Sequence, residues 1–429
     1  MSKPDYDVII IGGGPAGATS AMLLARQGFR VVVLERATFP RFHIGESLLP
    51  RNFPLIQELG LEQKLSRIPH VPKLGVEFAM ADGAKFARYP FTIGLLPVSP
   101  TINIERAPFD KMLLDAAREA GAEVRESTAV KSIVRLADGD VAVSIGDAEL
   151  SAKWLVDASG QGAVVARHLG TRQKSEDPRL QKVAHFQHFE NVDRREGPEG
   201  GYPLIVMADE GWFWLIPLDE HRTSVGLVLN PTVARNLDVP ANRVLQWGVE
   251  RAPVVKERME HAIGPETNYV AADFSYRCRP YAGPGYFLVG DAAAFVDPIF
   301  STGVCLAMLA GQKSAMYVGK LLCNEVAPAR ARRDYIKFVD GTTGIFFRLI
   351  RQYYDHSFRE LFLEGRGPLK VHCAILSILA GNVFPKPAFC LRWRLWLFEL
   401  LMWLNRHFQL VPKQARFSLL SGQPATVAV

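Results

Sequence analysis

A glycine-rich turn between a buried strand and a helix is the feature that most constrains the fold of this chain. Gly12-Gly13-Gly14-Pro15-Ala16-Gly17 follows the apolar run Val8 to Ile11, which is typical of a strand buried on both faces of a parallel sheet. Gly12 permits the tight turn, Gly14 lets the backbone approach a pyrophosphate, and Gly17 lets the helix pack on the strand. The N–H groups at the helix start, where Ala16 lies, favour the same anion. The turn therefore predicts a dinucleotide site.

A second apolar strand, Val31 to Leu34, ends at Glu35 and completes this unit. The whole stretch spans about thirty residues, as a right-handed strand-helix-strand crossover requires. The Glu35 carboxylate is expected to accept both hydroxyl protons of an adenosine ribose. Arg36 and Arg41 follow closely, and we count both as candidate cofactor-binding residues.

Two later strand ends indicate FAD rather than NAD as the dinucleotide. Val156-Asp157-Ala158-Ser159-Gly160 and Leu288-Val289-Gly290-Asp291-Ala292-Ala293 each place a carboxylate at the carboxyl end of a short apolar strand. Ligands of open α/β sheets bind at these ends. Asp291 precedes small residues and suits a ribityl hydroxyl and the pyrophosphate, and Asp157 and Gly160 are candidate FAD contacts.

The pattern of apolar and polar residues changes between these strands. Residues 73–105 and 181–275 alternate apolar and polar side chains, which predicts an antiparallel or mixed sheet with one solvated face. From about residue 304 onward the pattern is helical. The predicted division is a discontinuous FAD-binding domain of residues 1–72, 106–180 and 276–330, a substrate-side sheet domain of residues 73–105 and 181–275, a C-terminal helical cap of residues 331–420, and a loose tail of residues 421–429.

Composition excludes several functional classes. The formal net charge of +6 is spread along 429 residues with no basic stripe, so no nucleic-acid binding is expected. The five cysteines are widely spaced and odd in number, which favours reduced thiols in the cytoplasm over a disulfide framework, and no metal site is predicted. No stretch is long and apolar enough to predict a membrane span. The aromatic segment 391–404 favours a helix packed over the core, with peripheral membrane association as the alternative.

Five further motifs narrow the prediction. They are Gly45-Glu46-Ser47-Leu48-Leu49-Pro50, Lys73-Leu74-Gly75-Val76-Glu77-Phe78, Glu105-Arg106-Ala107-Pro108-Phe109-Asp110, Trp212-Phe213-Trp214-Leu215-Ile216-Pro217, and Phe295-Val296-Asp297-Pro298-Ile299-Phe300-Ser301-Thr302-Gly303. Together they resemble the flavin-dependent halogenase family, which has the glutathione-reductase-like FAD fold. The resemblance runs from the N-terminus to about residue 310 and implies an α/β fold, with a doubly wound FAD-binding domain, an inserted sheet domain and a C-terminal helical cap.

The resemblance also implies residue roles. Lys73 would capture or hydrogen-bond the hypohalous acid that reduced FAD, oxygen and a halide produce, and burial would lower its pKa. The halide, chloride or bromide, would be held near Thr302 and Gly303, with Ser301 and Thr302 counted as catalytic. Trp212 and Trp214 would form a wall between flavin and substrate. The family's remaining cofactor contacts map onto Ser47, Arg106 and Pro298.

One departure from the family pattern bears on the substrate. Tryptophan-type halogenases carry a glutamate where this chain has Phe300, and they are longer. Both facts favour an electron-rich phenol or pyrrole, which reacts without a strong acid's help, and such a ring could arrive on an acidic carrier protein. A separate flavin reductase would supply reduced FAD, because the chain has no second GxGxxG for a nicotinamide cofactor.

Two alternatives stay open at this point. The Trp212 motif is also close to that of geranylgeranyl reductases, so a halide-independent monooxygenase, dehydrogenase or alkene reductase would fit the same residues. A flavin-bound binding protein without turnover is the third interpretation.

Overall fold

The computed structural model describes residues 4–272, 275–295, 297–365, 367–383, 387–413 and 416–425. The strands are β1 Tyr6–Ile11, β2 Val31–Leu34, β3 His70–Pro72, β4 Gly75–Met80, β5 Phe86–Pro90, β6 Ile102–Ile104, β7 Glu123–Arg125, β8 Ser132–Ala137, β9 Asp140–Ser144, β10 Glu149–Asp157, β11 Arg172–Lys174, β12 Val183–Glu190, β13 Leu204–Met207, β14 Gly211–Pro217, β15 Arg222–Leu229, β16 Tyr269–Ala271, β17 Tyr276–Cys278, β18 Ala282–Gly283, β19 Tyr286–Leu288, β20 Ala294–Phe295, β21 Arg416–Ser418 and β22 Gln423–Ala425. The α-helices are α1 Pro15–Ala25, α2 Asn52–Glu58, α3 Glu62–Leu65, α4 Arg106–Glu119, α5 Val164–His168, α6 Pro231–Asn236, α7 Val244–Arg251, α8 Pro253–Arg258, α9 Gly303–Leu322, α10 Pro328–Tyr353, α11 His356–Leu363, α12 Val371–Leu379 and α13 Phe389–Phe408.

A parallel sheet forms the first layer. Its central strands lie in the order β7-β2-β1-β10-β19 and all pairs among them are parallel, while β18, β9 and β8 add antiparallel edges. Because parallel strands share one carboxyl edge, the residues that follow β1, β2, β10 and β19 meet there. The expected strands Val8 to Ile11 and Val31 to Leu34 and the doubly wound α/β fold are confirmed.

A second sheet of seven strands, in the order β16-β12-β15-β14-β13-β4-β5, covers the first. It is mixed, since β4 and β13 are parallel and the other pairs antiparallel. Alternate residues of β14 point to opposite faces. Trp212 and Trp214 join the large core shared with the parallel sheet, whereas Phe213 and Leu215 belong to a separate core beside α7 and α8. Both sheet faces are therefore apolar. The expectation of one solvated face was wrong, because α7 and α8 cover the second face.

The C-terminal helices complete the fold. The long helix α9 crosses the start of α1 so closely that a Cβ on Gly311 would lie 2.4 Å from the Ala16 carbonyl oxygen. The Ser20 hydroxyl donates to the Gly311 carbonyl at 2.8 Å, which ties the two helices together at the glycine-rich turn. Helices α10 to α13 follow as the expected cap.

A hairpin of β21 and β22 closes the described chain. Gly422, with φ +65°, turns the backbone between the two strands, and its N–H donates to the Ser418 carbonyl at 2.9 Å. Glu210 accepts from the Ser418 hydroxyl at 2.5 Å and from the Leu419 N–H at 2.8 Å. These two bonds attach the hairpin to the turn between β13 and β14. The hairpin pairs residues 423–425 with residues 416–418, and the looseness of the tail of residues 421–429 stays a prediction. Residues 426–429 lie outside the described residues.

Candidate active site

The glycine-rich turn leaves no room for side chains. Gly12 has φ +100°, and a Cβ there would lie 2.4 Å from the Ala158 carbonyl oxygen, while a Cβ on Gly17 would lie 2.0 Å from the Gly12 carbonyl oxygen. Gly14 precedes α1, and Pro15 occupies its first position. The start of α1 is thus held against the strand ends of β1 and β10, where a pyrophosphate is expected.

Glu35 lies beside this turn, as predicted. It is buried, and its Oε2 accepts from the Gly13 N–H at 2.7 Å while Oε1 accepts from the Ala37 N–H at 2.8 Å. A carboxylate has further lone pairs available to accept ribose hydroxyls. The contact with a ribose stays a prediction, and the observed role is to brace the turn.

Two of the buried donors without a partner among the described residues belong to predicted cofactor-binding residues. They are the Arg41 Nη1 and the Ser47 hydroxyl. Arg41 Nη2 lies 3.3 Å from the Asp110 carboxylate, and burial lowers the pKa of Arg41. An unsatisfied buried donor costs about 1–3 kcal/mol, so both atoms favour a bound anionic or oxygen-rich ligand. These residues, together with a cradle that only glycine fits, are compatible with FAD.

Arg106 is engaged within the protein. Its Nε and Nη2 donate to the Asp110 carboxylate at 2.8 and 2.9 Å, and its Nη1 donates to the Ile44 carbonyl at 2.7 Å. The motif that contains Arg106 therefore fixes the segment just before Ser47. Its expected contact with the flavin chain stays a prediction.

The two strand-end carboxylates have different surroundings. Asp157 accepts from the Ser159 N–H at 3.0 Å and from the Val165 N–H at 2.7 Å, so it shapes its own loop beside Gly160. Asp291 faces a cavity, and burial raises its pKa to about 6 while nearby Arg106 opposes the rise. Arg36 is exposed, and FAD contacts of these residues stay predictions.

The cavity at Asp291 reaches the predicted halide loop. Its empty volume is about 490 Å³, part of which is open to solvent. Ser301 has φ +55° and turns the chain, after Pro298 to Phe300, into the long helix α9 that begins at Gly303. A Cβ on Gly303 would meet nothing within 4 Å. The lining residues are Gly290, Asp291, Ala293, Ala294, Phe295, Thr302, Gly303, Leu306, Leu309, Ala310, Phe338, Val339, Thr342 and Thr343.

This arrangement can hold a small anion next to the cofactor cleft. The first N–H groups of a helix have no partner within the helix and carry a partial positive charge. The open space at Gly303 lies at the start of α9, beside Thr302. Asp291, Thr302 and Gly303 line one cavity, and halide binding there stays a prediction.

Lys73 is buried, although lysines usually lie at the surface. Its Nζ donates to the Leu48 carbonyl at 3.0 Å and lies 5.4 Å from the centre of the Phe91 ring. Burial lowers the pKa of Lys73 to about 7, which is the expected direction. The structure thus attaches Lys73 to the segment that carries Ser47.

The two tryptophans share the inner face of the seven-stranded sheet. Their ring centres are 5.8 Å apart. Trp214 pairs with Gly226 across β15, and a Cβ on Gly226 would lie 2.2 Å from the indole. Trp214 Nε1 donates to the Ser224 hydroxyl at 3.1 Å. The glycine makes room for the Trp214 ring and the serine hydroxyl accepts from it, so the indole is held in one orientation. The role of the two tryptophans as a wall stays a prediction.

A hydrogen-bonded chain connects this wall to the halide loop. Trp212 Nε1 donates to the Tyr354 hydroxyl at 3.1 Å, and that hydroxyl donates to Asp297 Oδ2 at 2.6 Å. Asp297 Oδ1 accepts from the Ile299 N–H at 3.1 Å. Lys182 Nζ lies 4.1 Å from the centre of the Tyr354 ring, and burial lowers its pKa to about 8 while Asp297 opposes the change. We refer to this chain as the Trp212–Tyr354–Asp297 relay.

Tyr354 and Lys182 were not predicted as site residues, and Asp297 was named only as part of a motif, without a role. Tyr354 lies 57 residues beyond Asp297, so no local spacing could have paired them. Glu46 was likewise quoted only as part of a motif, yet its carboxylate lies 2.5 Å from His188 Nε2. A polar residue inside an otherwise apolar motif was the one available signal for Asp297 and Glu46.

The phenylalanine that departs from the family pattern is part of the core. Phe300 is buried and packs edge-on against the Tyr353 ring at 5.7 Å. No side-chain carboxylate occupies this position of the loop, and an apolar contact takes its place.

Comparison with known proteins adds the following findings. Residues 5–325 match the family model described as FAD binding domain. A 1H-pyrrole-2-carbonyl-(peptidyl-carrier protein) chlorinase of Pseudomonas fluorescens is 30% identical over 412 residues, which cover 90% of this chain and 91% of the relative. The corresponding brominase of Pseudoalteromonas luteoviolacea is 33% identical over 317 residues, 72% of this chain and 76% of the relative. A solved flavoprotein/dehydrogenase from Cytophaga hutchinsonii is 27% identical with a TM-score of 0.84, covering 94% of this chain and 100% of its own.

Proposed function

This chain belongs to the FAD-dependent halogenases, and we propose that its substrate is an electron-rich pyrrole or phenol, with a pyrrole on a carrier protein as the first case to test. The overall reaction consumes reduced FAD, oxygen, halide, a proton and the arene, and it yields oxidised FAD, the haloarene and two waters. When bound and reduced, FAD supplies the two electrons for oxygen reduction, which in the presence of halide yields hypohalous acid. The protein's task is then to hold the acid next to the ring and to keep water away.

The buried ammonium of Lys73 is the observation that carries this proposal. A lysine with one carbonyl partner retains N–H groups that can donate to the oxygen of hypohalous acid. Its pKa of about 7 also gives the neutral amine a substantial population near neutral pH, as nucleophilic capture would need. Lys73 would act next to the Ser47 segment, on the substrate side of the cofactor.

Two further features support a ring substrate of high intrinsic reactivity. The wall of Trp212 and Trp214 is apolar and would exclude water from the oxidant. Phe300 supplies no acid or base to assist the substitution. Pyrroles and phenols need little such help, and two relatives are named as pyrrole halogenases.

The net charge of the chain and its number of GxGxxG turns suggest two partner proteins. The net charge of +6 would favour an acidic carrier protein. The chain has one GxGxxG turn, so a separate flavin reductase would supply reduced FAD. All five cysteines are free thiols, which supports a reducing compartment, the cytoplasm, as the place of action.

The test is mass spectrometry of turnover mixtures. Purified protein would be combined with FAD, a flavin reductase, NADH, oxygen and a panel of free and carrier-bound pyrroles and phenols, with chloride, bromide or neither. We expect a halide-dependent product with the matching isotope pattern. Lys73→Met should abolish it, and the exposed-lysine variant Lys131→Met should not. A product that forms equally without halide would refute the proposal.

A halide-independent FAD oxidoreductase is the second candidate, favoured by the flavoprotein/dehydrogenase of TM-score 0.84. This enzyme would oxidise, hydroxylate or reduce the same ring or an alkene. Its products would ignore halide, and Lys73→Met would retain most of the activity. The same turnover mixtures therefore separate the two candidates.

A further inference from the structure

Helix α13 is apolar on two opposite sides. One side is buried against the other C-terminal helices through Leu391, Leu395, Phe398 and Met402. These positions are three, four and seven residues apart, as one face of a helix requires. A surface helix ordinarily carries polar residues on its other face, so the outer side of α13 departs from the usual pattern.

The outer side carries large aromatic side chains in water. Phe389 is 77% exposed, Trp396 is 65% exposed and Trp403 is 49% exposed. They recur at intervals of seven, with Leu400 between the last two, so they form one stripe along the helix. Phe408, the last residue of the helix, is 68% exposed, and its ring centre lies 6.5 Å from that of Trp403. We call these five residues the outer stripe, and a helix of 20 residues makes it about 30 Å long.

Exposed apolar patches of this size mark interaction sites. The Trp403 ring also stacks on His407 at 4.6 Å, which orders it without covering its outer face. The stripe is independent of the Trp212–Tyr354–Asp297 relay and of the cavity at Asp291, and none of its residues lines that cavity.

The charges beside the outer stripe are mainly basic. Arg392, Arg394 and Arg406 lie on α13, whose single acidic residue is Glu399. Arg406 is paired with Asp355, so Arg392 and Arg394 are the arginines offered to a partner. Glu399 accepts from Gln352 Nε2 at 2.7 Å and lies 3.7 Å from Arg348 Nη1, so its charge is already compensated. The helix therefore offers a hydrophobic stripe with basic margins, and the complementary surface is anionic.

The shape of the feature favours lipid over a folded protein. The stripe lies on the side of the helix opposite its buried side, which makes it a ridge, and a ridge needs a partner that deforms around it. Tryptophan prefers the boundary between lipid headgroups and chains, and arginine can extend to the phosphates beside it. None of the helices within the described residues is both long and apolar enough to cross a membrane, so α13 would lie in the plane of the surface.

We propose that the outer stripe of α13 binds an anionic lipid surface. Phe389, Trp396, Leu400, Trp403 and Phe408 insert among the headgroups, and the arginines pair with lipid phosphates. The helix lies parallel to the bilayer and presents the enzyme in a fixed orientation. This binding needs no turnover, so it stands or falls separately from halogenation.

The test is sedimentation of the FAD-loaded full chain with sucrose-filled vesicles. One set contains phosphatidylcholine with about 30% phosphatidylglycerol, and the other contains phosphatidylcholine alone. We expect at least about tenfold stronger binding to the anionic vesicles, weakened as salt rises from about 0.1 to about 0.5 M. Trp396→Ser combined with Trp403→Ser should reduce binding at least about tenfold, with FAD content and melting temperature unchanged.

The matched control is Ile263→Ser, which alters an apolar side chain that is 63% exposed and lies far from α13 in sequence. It should leave vesicle binding unchanged. Absence of binding, or equal loss in both variants, would overturn the proposal. Light scattering that shows a dimer, lost in the double tryptophan variant, would instead assign the stripe to a second copy. Loss of carrier-protein binding in that variant, without any vesicle binding, would assign it to the carrier.

Discussion

Replacing Lys73 by methionine should make the protein more stable while it stops halogenation. Lys73 is 4% exposed and has one hydrogen-bond acceptor, the Leu48 carbonyl. Methionine has nearly the same length and shape but needs no hydration, so it fits the same space without a buried charge. A residue that weakens the fold and is still present is expected to serve the chemistry.

The magnitude follows from the pKa of Lys73. Burial lowers it from 10.5 to about 7, and each unit corresponds to about 1.4 kcal/mol. Between these two values the unfolded chain binds a proton that the folded chain does not, so the wild-type protein gains stability as pH rises through this window. The loss of folding stability caused by burying Lys73 reaches its full value of about 5 kcal/mol below pH 7. It falls to about 1 kcal/mol near pH 9.5.

The assay is urea unfolding of wild type and Lys73→Met at pH 6 and at pH 9.5. The free energy of unfolding of the variant should exceed that of wild type at both pH values. This difference should be about 3 kcal/mol larger at pH 6 than at pH 9.5. Lys131→Met, at an exposed lysine, should give a difference that does not change with pH. A constant difference for Lys73→Met as well would refute the reasoning, because the ammonium would then be hydrated in the fold.

Three more substitutions test the site. Gly17→Ala should abolish FAD binding, read from flavin absorbance, because the new Cβ would lie 2.0 Å from the Gly12 carbonyl oxygen. Gly303→Ala should keep FAD but raise the halide KM about tenfold, since the new methyl group enters the open space at the start of α9. Tyr354→Phe should release more hydrogen peroxide per NADH consumed, at unchanged FAD affinity. The reason is that the Trp212 N–H loses its acceptor, and an unsatisfied buried donor costs about 1–3 kcal/mol.

Each of these has an outcome that contradicts it. Gly341→Ala, where a Cβ meets nothing within 4 Å, is the control for the glycine variants and should behave as wild type. FAD retained in Gly17→Ala, or a halide KM unmoved in Gly303→Ala, would remove those positions from the site. Unchanged coupling of NADH to product in Tyr354→Phe would leave the relay without a role in the reaction.

The parts of the fold that the sequence predicted are those set by short-range patterns. The run Val8 to Ile11 and the strand Val31 to Leu34 were readable because all their side chains are buried between layers. Asp157 and Asp291 could be placed at one edge of the sheet because parallel strands share a carboxyl edge. The lowered pKa of Lys73 followed in direction once its motif indicated burial.

Long-range contacts could not be predicted in this way. Tyr354 ends a helix whose apolar pattern gives no reason to expect a partner at Asp297, and Lys182 precedes a strand with no motif. Helix α13 was predicted as a helix packed over the core. Because both sides of the helix are apolar, periodicity could not predict which side faces water. The packing of α13 against the other C-terminal helices decides which side is buried. The domain boundaries given by number remain a prediction.

The hydrogen bonds between the β21–β22 hairpin and Glu210 affect the order in which the chain folds during synthesis. The bond from Ser418 to Glu210 joins residues 208 positions apart, and closing so long a loop is entropically unfavourable until the intervening chain has folded. During synthesis the glycine-rich turn can meet β2 early, whereas the turn that leads into the tryptophan strand is fastened only after residue 419 has left the ribosome. The turn between β13 and β14 is therefore fastened after the strands of the parallel sheet, including β19, have emerged.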